Sequence, residues 1–214
     1  RNEGLAAVWF ILSFMFVALA RYFFPVRFKE TIGAAWEQRY FNYLERETGV
    51  FNHWVPFLLF LNFLFTLSLL LYQSFGDSFK TLLNTGSSPV LLLLYGFMAG
   101  ALFFGLKFGF IYFTSWIFRT DVATDNYLRH TLIIYNIIGI ILLPLLIVNF
   151  FNTATWLTYG AWAFFALLEA WRLLRIIPIG LQIRGFSTYH LILYLCAVEI
   201  IPVLLIVKYA QNTI

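Results

Sequence analysis

Lys107 and Glu199 are the side chains of this sequence best placed to do chemistry. Each is ionisable and sits deep in an apolar run, PVLLLLYGFMAGALFFGLKFGF for the lysine and LILYLCAVEIIPVLLIVK for the carboxylate. A lone charge at the centre of a membrane helix costs about 2.5–3.5 kcal/mol on insertion scales, so such groups pair, neutralise or line a route. The two stand at matching depths, about ten residues from the basic flank of their segments by helical count. The spacing therefore predicts an intramembrane Lys107–Glu199 pair. The pair would serve either as a register-fixing contact between helices or as a proton- or ion-responsive element.

Glu169, Arg172 and Arg175 form a second constellation, recurring every three residues in EAWRLLR. This spacing predicts one intrahelical ion pair with arginines snorkelling to the membrane edge. The alternative is a site for an anionic lipid head group or a cofactor carboxylate. Gly96, Gly100, Gly105 and Gly109 give two small-xxx-small pairs on one segment. Successive pairs fall on opposite sides of a helix, and Lys107 returns to within about 20° of Gly96. Close approach is then possible from two directions, by a helix of the same chain or by that of a partner.

Nothing else carries a recognisable chemistry. His53, His130 and His190 are scattered, without metal-ligand spacing. The single cysteine, Cys196, excludes an intrachain disulfide. No phosphate loop, nucleophile elbow or acidic metal cluster is present, so no catalytic residue, metal or cofactor is expected. The expected class is non-enzymatic.

The elements that hold these groups follow from composition. Hydrophobic residues make up 62% of the chain and charged ones 11%, against about 25% charged in an average soluble domain. Long apolar runs recur without two-residue alternation, which excludes an outer-membrane barrel pattern. The expected fold is all-α, a polytopic transmembrane helical bundle forming a single domain. Six spans are predicted at about 4–24, 54–73, 89–118, 131–151, 156–174 and 189–209. An interfacial amphipathic helix is predicted at about 28–48, where Phe28, Ile32, Trp36, Tyr40 and Leu44 recur every four residues.

The charges set an orientation. Arg21, Arg27, Lys29, Arg39, Arg46, Arg119, Arg129, Arg172, Arg175 and Arg184 lie on one side, and Arg1, Lys80 and Lys208 on the other. By the positive-inside rule the first side is cytoplasmic, and both ends of the sequence lie on the far side. The net charge of +4 thus follows a membrane rule rather than signalling nucleic acid. The sequence starts at Arg1, and a further N-terminal part is expected upstream.

Several stretches, YLERETGVFN, LLFLNFLFTLSLLLYQ, TSWIFRTDVATDNYL, NIIGIILLPLL and above all FSTYHLILYLCAVEIIP, extend over nearly the whole chain. Together they resemble an uncharacterised integral-membrane family of Bacteroidota, classed as a domain of unknown function. The resemblance implies a bacterial inner-membrane location and brings no catalytic or cofactor residues. The expected role is a subunit or assembly factor of a larger membrane complex, with membrane lipids and other integral membrane proteins as partners. Phylum-specific envelope or secretion machinery is one such setting. The alternative is a small proton- or ion-coupled transporter built on Lys107 and Glu199.

Overall fold

The computed structural model describes residues 3–36, 54–82, 89–118, 121–152 and 155–181. These form six helices: α1 (Glu3–Phe23), α2 (Pro25–Trp36), α3 (Trp54–Leu82), α4 (Pro89–Phe118), α5 (Asp121–Phe151) and α6 (Thr155–Leu181). No strand occurs among the described residues. Glu199, Cys196, His53, His190, the expected span 189–209 and the second half of the expected interfacial helix lie outside them.

Three helices contain segments long and apolar enough to cross a membrane, Trp54–Gly76, Val90–Ile117 and Thr124–Phe151; a fourth crossing is added if the bent α1–α2 pair counts as one. Five of the six expected spans fall on the described residues, and these counts among the described residues are fewer than those five. The segment expected at 156–174 is helical, but its Trp, Tyr and Thr residues and the Glu169–Arg172 pair lower its hydropathy. The segment expected at 4–24 is helical up to Phe23, where the axis turns by 111° into α2. Pro25 causes the break: it lacks an N–H and disfavours helical geometry in the residue before it.

Helices extend past the apolar runs. Ser74–Leu82, expected as loop, prolongs α3. Asp121–His130, expected as loop, forms the first turns of α5. Ile176–Leu181 continues α6 through Pro178. Hydropathy marks where a helix would leave oil, not where its hydrogen bonding stops. α4 begins and ends where its apolar run does.

The short connections between α4, α5 and α6 place consecutive helices side by side. α3 packs against α1, α4 and, most extensively, α5. α5 is the centre of the bundle: 67% of its apolar segment is buried, against 28% for α4. Its closest neighbour is fixed by Gly139. A Cβ there would lie 2.7 Å from the Phe63 Cα, so α3 and α5 touch backbone to backbone. Ser68 ties α3 to α4 by donating its hydroxyl to the Leu93 carbonyl at 2.5 Å. Gly96 lies against Ser68, and Gly100 against Leu64 and Leu67.

α2 rests on the bundle. Thr31 and Ala34 are buried, and Ala34 packs with Ile133 and Ile137 of α5. Phe28 covers the cluster of Ala20, Val55 and Leu59. The face turned inward thus carries small residues beside the expected aromatic stripe, because a close helix crossing accommodates little else.

Gly139→Ala forces a methyl into the Phe63 backbone. It is expected to destabilise the fold by about 1–3 kcal/mol, read as a lower thermal midpoint in detergent. Gly105→Ala, in open space, is the control and should leave the midpoint unchanged or raised.

Candidate functional site

The face of α4 that carries Gly100, Phe104, Lys107 and Ile111 turns into the bundle, and the last three residues are buried with it. Lys107 is thereby brought to α5, where its Nζ donates to the Tyr135 hydroxyl at 3.2 Å. From α6, the Arg172 guanidinium donates to the same hydroxyl at 2.5 Å. Three helices therefore meet on one phenol oxygen, which has two lone pairs to receive two donors.

The ring of Tyr135 is used as well as its oxygen. Lys107 Nζ lies 5.7 Å from the ring centroid and the Arg172 guanidinium carbon 4.8 Å. Both distances fall in the range of cation–π attraction, which is stronger in a desolvated site. Phe63 stacks on the ring at 4.9 Å, and Phe104 meets it edge-on at 4.9 Å. Phe60 and Phe108 complete this aromatic wall. The wall fixes the orientation of Tyr135 and keeps the two cations in a weakly screening medium.

Arg172 is 1% exposed. Its Nε lies 3.0 Å from a Glu169 carboxylate oxygen, one helical turn back. That Nε makes no aligned hydrogen bond, so the contact acts as an ion pair through charge rather than as a directed bond. The expected Glu169–Arg172 pair is therefore in place, but Arg172 points into the bundle and not out to an interface. The partner that redirects it is Tyr135. Glu169 remains partly exposed.

The expected sites separate as follows. Lys107, Glu169 and Arg172 come together around Tyr135. Gly96 and Gly100 face inward on α3, whereas Gly105 and Gly109 have no heavy atom within 4 Å of an added Cβ. For Arg175 only its place on α6 is described. The Lys107–Glu199 pair lies outside the described residues. No group of three or more His, Cys, Asp or Glu side chains that could hold a metal occurs among the described residues.

Tyr135 was not anticipated. It stands near the start of the apolar run expected at 131–151, where a tyrosine reads as an interfacial anchor. Because α5 begins at Asp121, Tyr135 is instead near the middle of its helix. The available signal was a buried lysine needing an acceptor at its own depth. Asn62, Thr66, Asn136 and Asn149 are further buried polar residues with no charge to draw attention to them.

Tyr135→Phe keeps the ring and removes the acceptor shared by two buried cations. Hydrogen bonds to charged groups are worth about 1.5–3 kcal/mol, and a loss of stability in that range is expected in thermal or denaturant unfolding. Tyr135→Leu, which also removes the ring contacts, should cost more.

Comparison with known proteins returns one match. The family model described as domain of unknown function DUF4271 covers residues 6–210. No curated protein matches the chain, and no solved structure does. The match takes in all but the ends of the sequence, and the chain belongs to the DUF4271 family.

Proposed function

We propose that the protein is a non-enzymatic integral subunit or assembly factor of a larger complex in a bacterial inner membrane. In this reading the chain crosses the membrane six times, its cytoplasmic side is the arginine-rich one, and the complex belongs to phylum-specific envelope or secretion machinery of Bacteroidota. The observation that carries the proposal is the outward face of α4. Leu102, Leu106, Phe113 and Trp116 are exposed there, and Gly105 and Gly109 lie open between them. Glycine in a helix interior costs about 1 kcal/mol relative to alanine. A face that meets only lipid gains nothing from two of them, whereas a second helix can approach closely where they lie.

The second reading is a proton- or ion-coupled transporter, favoured by the burial of Lys107 with Tyr135 and Arg172 in the bundle interior. In that case Glu199 would be a titrating partner on the route. Proton flux in liposomes lost on Lys107→Met and on Glu199→Gln would support it.

The assembly reading is checked by native gel electrophoresis of mildly solubilised membranes. The 25.0 kDa chain should migrate in a larger complex. Gly105→Leu with Gly109→Leu should release it to the size of the free protein at unchanged thermal midpoint. Migration of the doubly substituted protein with the complex, or of the native protein as a free subunit, would contradict the proposal.

A further inference from the structure

Asn62 and Asn136 are both fully buried. Asn62 Oδ1 accepts from the Ser13 hydroxyl at 2.5 Å, while its Nδ2 has no hydrogen-bond partner. Neither Nδ2 nor Oδ1 of Asn136 has one. An amide buried without partners costs roughly 1–3 kcal/mol, and native folds satisfy nearly all such groups with protein or bound water.

The two amides belong to one place. α3 and α5 run parallel at a constant register: the Phe63 backbone lies against Gly139, the Thr66 hydroxyl reaches the Gly139 carbonyl at 3.4 Å, and Gln73 Nε2 reaches the Leu146 carbonyl at 3.1 Å. Continued back by one turn, this register sets Asn62 level with Asn136. They also share a side. Asn62 lies on the face of Leu59 and Thr66, and Asn136 on the face of Ile140, at helical i, i+3 and i, i+4 spacing. Leu59 and Ile140 pack in one cluster with Ala20 of α1, so both amides look into the seam between α1, α3 and α5. Pro144 frees an acceptor one turn along α5 from Asn136. Lacking an N–H, it leaves the Ile140 carbonyl without its helical donor.

We propose that this seam is a buried hydration site, in which water bridges the Asn62 and Asn136 amides. The mixture of groups selects the ligand. Amide N–H donors cannot be satisfied by a metal cation, and Lys107 and Arg172 already bring two positive charges to the adjacent Tyr135. Water accepts from an amide N–H and donates to an amide oxygen or a carbonyl, and two to four polar partners are what a buried water requires.

X-ray radiolytic labelling of the purified full chain tests the proposal, since bound water generates hydroxyl radicals where it sits. Leu59 and Val55, buried beside the seam, should be oxidised well above Leu69 and Leu70, which are equally buried among apolar neighbours. The excess should disappear in Asn136→Leu. Stability gives a second readout. A bridging water makes Asn62→Leu and Asn136→Leu each lower the thermal midpoint, by about 4–8 °C per kcal/mol lost in a small domain and less in a larger one. The double substitution then lowers it by less than the sum. Equal labelling of Val55 and Leu59 against Leu69 and Leu70, or a midpoint that holds or rises in either single variant, would show a dry seam and overturn the proposal.

Discussion

Two buried cations share one neutral acceptor, and the rest of the bundle is arranged to make that possible. Lys107 and Arg172 lie on helices flanking α5. In an apolar interior neither can be left without a hydrogen-bonding partner, since the cost of burying a bare charge is several kcal/mol. The Tyr135 hydroxyl serves both, its ring adds cation–π attraction, and Glu169 offsets part of the charge. A single side chain on the central helix thus fixes the rotation of α4 and α6 about their axes.

That arrangement depends on how closely α3 and α5 approach. Gly139 lets the Phe63 backbone come into contact, which brings the Phe63 ring onto Tyr135 one turn away. The same rotation of α4 that points Lys107 inward also presents Gly96 and Gly100 to α3. The same rotation turns Gly105 and Gly109 outward. Interior hub and outer face are therefore consequences of one helix orientation, and a change in either is felt by the other.

Much of this was legible in the sequence. Apolar runs located the long helices, Pro25 located the bend, and the depth of Lys107 singled it out as a residue needing a partner. The i, i+3 spacing of Glu169 and Arg172 gave their ion pair. Helix ends were less legible, because polar turns such as Ser74–Leu82 and Asp121–His130 carry no hydropathy signal yet keep their backbone bonds. The direction of Arg172 was not legible at all. Snorkelling and inward pairing use the same residue at the same position, and only the tertiary placement of Tyr135 decides between them. Buried asparagines were missed for a related reason: an amide in an apolar run has the same pattern whether it faces a neighbour, a water or nothing.

The central claim is that Tyr135 joins the two cations within the protein interior, and a double-mutant cycle between Tyr135→Phe and Arg172→Met measures it directly. Unfolding free energies of the four proteins should give a coupling of about 1 kcal/mol or more, as expected for residues sharing a hydrogen-bond network. A parallel cycle with Lys107→Met should show the same sign. Strictly additive effects in both cycles would mean that the phenol does not hold the cations, and the account of how this bundle is organised would fail.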